Sequence, residues 1–378
     1  MGPRRLPRPA RRGRRQGRAE HSGRLSRNAI RVTLGAPPAA SGVAAVRRPR
    51  RLRALWLLAA VAVLLAAAVV SVLVGSREVA WSDVVAAFGG STDGFAQAAV
   101  AKRIPRTVLA AIAGAALGVA GVLMQGVTRN PLADPGILGV NTGASLAVVT
   151  GIVFFGLSSS AAYVWVAIGG AAVAAVFVYT VGSLGRGGAT PLTLALAGAA
   201  TSAALVSVIS AIVLPRADIA GGIRSWQIGG VGGATSASIA QVLPFLLAGL
   251  VLCVLSAKSL NTLALGDELA AGLGERVALA RGGAALGAVV LCGATTAVTG
   301  PIGFVGLVVP HACRLLVGVD HRWLLPFSAV TGAVLLIAAD IVGRVVARPS
   351  EIDVGIVTAL VGAPVFIAIV RRQKVREL

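Results

Sequence analysis

Charged residues and cysteines are both scarce in this sequence. Only 13% of its 378 residues are charged, about half the share of an average soluble domain. Its three cysteines, Cys253, Cys292 and Cys313, form no CxxC pair and lie in or beside apolar segments, so neither a disulfide scaffold nor a bound metal is predicted. Hydrophobic residues make up 56% of the chain. Because so few charges could not cover a soluble surface, we predict a polytopic membrane protein.

Motifs that bind nucleotides or cleave bonds are also lacking. A Walker A loop needs glycine directly before its lysine, but Ala, Ala and Gln precede Lys102, Lys258 and Lys374. The histidines form no HExxH motif, and no serine lies in a GxSxG motif. The chain is therefore predicted not to be an enzyme and to bind no cofactor. An intramembrane enzyme would need clustered His, Asp or Ser within its spans.

Acidic residues are nearly absent from the apolar runs. An ion-coupled secondary carrier, the alternative from another functional class, usually keeps such acids for proton or sodium relays. Asp340 is the one acid that the pattern places near the interior of a span. Arg344 follows it by four residues, so an ion pair along one helix face is the simplest expectation for both.

Arginine is concentrated at the N-terminus. The chain has 35 basic and 14 acidic residues, but sixteen of the arginines and one acid, Glu20, fall within Met1–Arg53. Such an arm can neutralise nucleic-acid phosphates. This one lacks apolar periodicity, which favours a disordered leader that touches anionic lipid and binds no nucleic acid. We predict a cytoplasmic leader over residues 1–51 and a transmembrane domain over residues 52–378.

Uncharged stretches of about 20 residues, enough to cross a bilayer, predict ten transmembrane helices. Two longer stretches are divided, one at Gly156–Ser160 and the other at Thr299–Pro301. The predicted spans are Ala54–Ser76, Thr107–Thr128, two within Pro135–Gly185, one within Gly187–Pro215, Ile239–Ala257, two within Gly282–Cys313, Leu324–Gly343 and Val354–Val370. The fold class is therefore all-α.

Basic residues predict the orientation in the membrane. The cluster Arg47–Arg53 directly before the first span places the N-terminus in the cytoplasm. Ten spans return the C-terminus to that side, where the basic residues of 371–376 agree with the bias toward positive cytoplasmic loops. Some basic residues would lie at the outer face and break this bias, namely Lys102, Arg103, Arg106 and Arg344.

A short amphipathic helix is predicted in the loop Lys258–Val277. Leucines recur there every fourth residue at 265, 269 and 273. Asp267 can cap the start of the helix, Glu268 suits its positive end, and Gly272 and Gly274 end it. An apolar stripe of this kind either rests on the membrane surface or docks a cytoplasmic partner.

A polar stretch follows the second span. Asn130 and Asp134 each precede a proline, which keeps them out of the helical region and favours turns. Arg129 is predicted at the cytoplasmic interface. The stretch is either a tight turn between two spans or a gate near the inner mouth, formed by Gln125, Arg129, Asn130, Pro131 and Asp134.

A dense and ordered series of segments matches a known family. These segments are Arg103–Arg106, 114–144 (GAALGVAGVLMQGVTRNPLADPGILGVNTGA), Leu265–Glu268, 299–311 (TGPIGFVGLVVPH), Ala339–Arg344, 354–359 and 362–364. Together they resemble the FecCD-type family of ABC importer permeases for iron chelates, haem and cobalamin. The resemblance extends from about Leu52 to the C-terminus and excludes the leader.

This resemblance implies a ten-helix permease of type II ABC importer architecture in the cytoplasmic (inner) membrane. It would pair with a second permease, identical or different, and with two cytoplasmic ATPase subunits. A substrate-binding protein would dock on the outer face, and ATP would be hydrolysed by the ATPase partner. An iron–siderophore complex is the predicted cargo, with haem or cobalamin as the alternative.

The resemblance also assigns roles to particular residues. Arg103, Arg106 and Arg344 would receive acidic residues of the binding protein. The coupling loop that enters an ATPase groove would consist of Leu265, Gly266, Asp267, Glu268, Leu269, Leu273 and Gly274.

Overall fold

The computed structural model describes Gly2 and residues 49–75, 79–89, 94–136, 138–184 and 190–374. Most of the predicted leader, residues 1–51, lies outside these ranges. Within them the chain forms thirteen α-helices, and seven are long and apolar enough to cross a membrane. Three shorter apolar helices bring the number of membrane segments in the described part to ten, which confirms the predicted number.

The ten membrane helices follow the predicted order. They are α1 (Arg50–Leu73), α3 (Phe95–Thr128), α4 (Val140–Phe155), α5 (Ser160–Ser183), α6 (Pro191–Val213), α8 (Ser236–Leu263), α10 (Val277–Thr299), α11 (Val305–Val317), α12 (His321–Val346) and α13 (Val354–Lys374). The predicted division of the seventh and eighth spans is confirmed, since α10 ends at Thr299 and Gly300 has a left-handed φ of 67°.

The structure differs from the hydropathy prediction where a helix carries charge or is short. The second span begins at Phe95 rather than Thr107, because α3 continues through three basic residues. Two further helices lie between spans, α2 (Trp81–Phe88) and α7 (Ala217–Ile228). The remaining short helix, α9 (Asp267–Gly272), follows α8 in the predicted amphipathic loop.

Helix α3 lies at the centre of the bundle and packs closely against α12 and α11. A Cβ atom added to Gly114 would overlap the carbonyl of Gly332, and one added to Gly121 would overlap that of Gly306. Such close backbone approach is typical of helix pairs in lipid, where small residues at the contact increase van der Waals packing. Because α3 packs closely along its length, it positions the residues near its two ends, which belong to the two ends of the bundle described below.

We name those ends by what they carry. The arginine end holds Arg103, Arg106 and Arg344, and the α9 end holds helix α9. Helix α1 runs from the α9 end to the arginine end, since Arg53 near its start lies by Gly318 and Ser71 near its finish contacts Arg344.

Helices α3–α6 and α10–α13 follow one plan, although no repeat is evident in the sequence. In each series a long helix precedes a short one and two longer ones. A left-handed residue precedes each short helix, Gly139 before α4 and Phe304 before α11. Left-handed glycines, Gly156 and Gly318, follow them. The first series begins at the arginine end and the second beside α9, so the two are inverted relative to one another.

Candidate functional site

The arginine end is organised around the last turn of α1. Arg103 donates from Nη1 to the carbonyl oxygens of Val72 and Leu73, at 3.1 and 3.0 Å. The last carbonyls of a helix have no partner within it and carry its negative dipole end. Arg103 therefore caps α1 from a neighbouring helix.

Arg344 caps the same turn from α12. Its Nη1 donates to the carbonyls of Ser71 and Val74 at 2.9 and 3.0 Å, and its Nη2 donates to the Ser71 hydroxyl at 2.7 Å. Arg348 adds a bond to the carbonyl of Gly75. Three arginines from α3, α12 and the segment after α12 thus bind the five consecutive carbonyls of residues 71–75, at the end of α1 and directly after it.

Arg106 faces a different set of partners. Its Nε and Nη2 bind the Asp340 carboxylate at 2.9 and 2.7 Å, and its Nη1 binds Glu351 at 2.6 Å. Asp340 also pairs with Arg344 at 3.0 Å, four residues along α12, which confirms the predicted ion pair. One fully buried carboxylate therefore balances two arginines.

Burial separates the three arginines that the sequence grouped together. Arg103 is 6% exposed and Arg344 is 1% exposed, while the Arg106 side chain is 13% exposed and its partner Glu351 is 37% exposed. The expectation that these three arginines receive acidic residues of a binding protein stays a prediction, and within the chain the end of α1 already accepts hydrogen bonds from Arg103 and Arg344.

The pKa of one further acid, Asp353, is affected by its position beside this cluster. Asp353 lies directly before α13, and partial burial raises the pKa of its carboxyl above the ordinary value, while nearby Arg106 acts in the opposite direction. Asp353 is thus a third carboxyl near Arg106, after Asp340 on α12 and Glu351 in the segment between α12 and α13.

The α9 end presents an apolar stripe. Leu265, Leu269 and Leu273 are 57%, 62% and 69% exposed, as the predicted spacing indicates. The helix itself is shorter than the stripe, because it ends at Gly272. Gly266, with a φ of 112°, occupies the N-cap position. The prediction that Asp267 caps the helix is wrong, since Asp267 lies in the first turn.

The Asp267 carboxylate points to two other helices. Its Oδ1 accepts from Arg129 at the end of α3 and, at 3.0 Å, from Arg281 in the second turn of α10. All three side chains are between one third and one half exposed. This ion-pair cluster ties α9 to the polar turn after α3.

That turn has the local structure that its prolines predict. The backbone of Arg129 has a left-handed conformation with a φ of 51°. The Asn130 side chain accepts a hydrogen bond from the backbone N–H of Leu132 at 2.9 Å. The Asp134 Oδ1 accepts from the N–H of Gly136 at 2.6 Å. These short side-chain bonds replace helical ones and turn the chain toward α4.

The turn also enters the bundle, which the sequence did not indicate. Gln125 and Asp134 are buried, and the Asp134 carboxylate lies beside Gly306 at the start of α11. Gln125 donates to the Gly306 carbonyl at 3.2 Å, and Asn141 donates to that of Ile302 at 3.2 Å. Asp340 is therefore not the single acid inside the bundle. The starts of the two short helices, α4 and α11, meet around these polar groups.

A cavity of about 930 Å³ lies between α4, α5 and α6. It is lined by Gly143, Leu146, Ala147, Thr150, Gly151, Phe155, Leu157, Val166, Gly170, Val173, Ala174, Phe177, Thr201, Ala204 and Leu205. None of these side chains carries a charge, so the walls suit hydrocarbon rather than a polar chelate. Among the described residues, no group of three His, Cys, Asp or Glu side chains could hold a metal ion.

A family model identifies the chain. The model of the FecCD transport family matches residues 63–372, which include both ends of the bundle and exclude the arginine-rich segment. The chain belongs to the FecCD transport family. It is accordingly an integral membrane protein and a transport subunit of the ABC permease type.

Curated FecCD relatives cover most of the chain. The ferric enterobactin transport system permease protein FepD of Escherichia coli (strain K12) is 44% identical over 335 residues, 88% of this chain and 98% of the relative. The probable siderophore transport system permease protein YfiZ of Bacillus subtilis (strain 168) is 41% identical over 312 residues, 82% of this chain and 93% of the relative.

The fold also has a solved counterpart. A structure described as an inward-facing conformation of a metal-chelate type ABC transporter superposes with a TM-score of 0.67 at 27% identity, covering 84% of this chain and 99% of the other. The all-α FecCD permease fold is therefore shown at the level of architecture.

Several contributing residues escaped the sequence analysis. Ser71 lies 273 residues from Arg344, and Glu351 lies 245 residues from Arg106. Arg281 is 14 residues from Asp267 but on a different helix, so no local pattern marks any of the three. Asp134 was recognised as a turn residue, but its burial depends on how α11 packs against α3. The surroundings of these charged and polar residues are set by tertiary contacts, which hydropathy along the chain does not record.

Proposed function

We propose that this chain is the permease subunit of an ATP-driven importer that carries an iron–siderophore complex into the cytoplasm. The observation that carries the proposal is the family match over residues 63–372, supported by relatives whose names specify siderophore and ferric enterobactin transport. Haem or cobalamin is the alternative cargo within the family. The apolar bundle supplies a pathway, and its partners supply the energy.

We assign the α9 end to the cytoplasm. Arg50, Arg51 and Arg53 at the start of α1 support this assignment through the bias toward positive cytoplasmic segments. The opposing arginines do not weigh against it, because Arg103 and Arg344 are buried as caps of α1. Both termini then lie in the cytoplasm, with residues 1–51 as a leader before the permease domain of residues 52–378.

We further propose that a second permease packs against α6 and α13, the last helices of the two inverted series. Gly355, Ala359 and Ala363 recur every four residues along a groove of about 590 Å³ on α13. Exposed small residues also recur on α6, at 199, 203 and 207. Stripes of this kind favour close contact between membrane helices, and a pathway for cargo would run between the two copies.

Two ATPase subunits would dock on the permease pair, one at the α9 end of each permease. Three exposed leucines on one short element leave an apolar patch that water solvates poorly, and burying each would contribute about 2 kcal/mol. The chain needs no nucleotide site of its own under this proposal, because ATP is bound and hydrolysed by the partner.

The binding protein would dock at the arginine end. Of the predicted residues Arg103, Arg106 and Arg344, we propose that Arg106 makes the direct contact. It is the most exposed of the three, and its outer nitrogen binds an exposed carboxylate, Glu351, that an incoming acid can replace. Arg103 and Arg344 would act by holding α1 in place.

Transport by the reconstituted complex tests the proposed function. The permease, its ATPase and its binding protein are placed in liposomes, and uptake of a ⁵⁵Fe-labelled siderophore, haem and cobalamin is compared. We expect ATP-dependent accumulation of the siderophore complex. Accumulation of haem or cobalamin alone would show that the proposed iron–siderophore cargo is wrong. Uptake driven by an ion gradient without ATP would overturn the assignment as an ATP-driven importer.

Replacing Arg106 by Gln tests the docking site. An exposed ion pair contributes about 1 kcal/mol or less, so we expect the binding protein to associate roughly threefold to fivefold more slowly and with weaker salt dependence. Glutamine is preferred to glutamate because a new carboxylate would face the buried Asp340. Association rates measured at several salt concentrations give the result.

Glu351→Gln is the matched control for that experiment. It removes the exposed partner of Arg106 and keeps the bond to Asp340, so association should be unchanged or faster. Normal association and salt response in Arg106→Gln would exclude Arg106 as the docking residue.

A further inference from the structure

Asp267 on α9 forms ion pairs with side chains of two other helices, α3 and α10. Its Oδ1 accepts from Arg129, the left-handed residue that ends α3, and from Arg281 on α10. Because both arginines bind one oxygen, a displacement of α9 changes both contacts together. The leucine stripe plays no part in these bonds and remains exposed.

Backbone hydrogen bonds also join α9 to the segments on either side of it. Gly266 donates to the carbonyl of Leu263, and Glu275 donates to that of Ala270, at 3.2 and 3.0 Å. Ala270, in the middle of α9, is fully buried in the hydrophobic core. The element is therefore held to the bundle by the burial of Ala270, and Asp267 ties it through side-chain ion pairs to the ends of α3 and α10.

Arg129 begins a segment that leads into the bundle. Five residues later Asp134 lies beside Gly306, the second residue of α11. Asn141, at the start of α4, donates to the carbonyl of Ile302 in the segment that precedes α11. A continuous set of contacts therefore runs from α9 through Arg129 to the starts of both short helices.

We propose that Asp267 is a coupling residue, which transmits displacement of α9 to the α3–α4 turn through its ion pair with Arg129. The inference rests on the proposed docking of an ATPase at α9. The leucine stripe holds the ATPase, and Asp267 passes its motion to the permease. These two functions lie on different side chains of one element and are separable by substitution.

An exposed ion pair suits this role. Such pairs contribute about 1 kcal/mol or less to stability, so the cluster can break and re-form as the turn moves without unfolding the bundle. Their contribution to register and orientation is larger than their contribution to affinity. A neutral side chain at 267 should therefore leave α9 folded and the ATPase bound.

The experiment uses the full complex in liposomes with Asp267→Asn, and measures ATP hydrolysed per cargo molecule transported. We expect the ATPase to stay bound, hydrolysis to change by less than twofold, and transport to fall about fivefold or more. Arg129→Gln should reproduce this uncoupling, and Asp267→Glu should restore most of the transport. Asp218→Asn, which removes another exposed acid that pairs with an arginine, is the control.

The outcomes separate this inference from the proposed function. An unchanged ratio of hydrolysis to transport in both Asp267→Asn and Arg129→Gln would overturn the coupling role. Loss of the ATPase from Asp267→Asn would also overturn it, because Asp267 would then serve docking. Failure of the docking proposal shows elsewhere, as retention of the ATPase when the leucine stripe itself carries a charge.

Discussion

Replacing Leu269 by Asp should release the ATPase subunits from the complex. The residue is 62% exposed, so the permease itself should fold normally. At an interface the change loses the burial of a leucine and leaves an unpaired carboxylate out of water, which together cost roughly 3–5 kcal/mol. Affinity should fall more than a hundredfold. Size-exclusion chromatography of the purified complex would show free permease, and transport would be lost.

Two controls identify the cause of that loss. Leu269→Met keeps an apolar side chain and should keep the ATPase bound. Val319→Asp places a charge at an exposed apolar position on the turn between α11 and α12, at the same end of the bundle, and should have a smaller effect. Full ATPase binding and transport in Leu269→Asp would show that the stripe rests on lipid instead.

Replacing Asp340 by Asn should destabilise the permease severely. The carboxylate is fully buried and balances Arg106 and Arg344. Removing one partner of a buried ion pair leaves an uncompensated charge, at a cost of about 3–5 kcal/mol. Arg344 would keep its bonds to α1 but lose its counter-charge. We expect a lower thermal unfolding midpoint in detergent and reduced abundance in the membrane.

The neighbouring pair supplies the comparison. Glu351→Gln removes an exposed partner of the same arginine and should cost about 1 kcal/mol or less. Adding Arg344→Gln to Asp340→Asn removes the buried cation as well, so the double variant should be less destabilised than the sum of the single ones. An Asp340→Asn protein as stable as the wild type would contradict the assignment of this carboxylate as the counter-charge.

The two predictions act at opposite ends of one helix bundle and through different physics. Leu269→Asp should leave the fold intact and remove the ATPase subunit. Asp340→Asn should destabilise the fold and reduce transport only as a consequence. Measuring unfolding and ATPase retention for both variants therefore separates a docking surface from a structural cluster.

The sequence by itself determined the membrane class, the ten segments and the exposed leucine stripe. Each is a local property: an apolar run of about 20 residues predicts a span, a break such as Gly156–Ser160 divides a longer run into two, and four-residue spacing predicts one helix face. The order of segments was sufficient to place the chain near one family. These conclusions needed no knowledge of which helices touch.

Only the tertiary structure decided which charged side chains are buried and paired and which remain partly exposed. Arg103, Arg106 and Arg344 look alike as a sequence pattern, but packing brings the end of α1 against two of them and an acid against the third. Hydropathy sums neighbours along the chain, whereas a buried charge is stabilised by groups hundreds of residues away, such as Ser71 for Arg344. For the same reason, the ion pairs of Asp267 and the burial of Asp134 emerged only from the packed bundle.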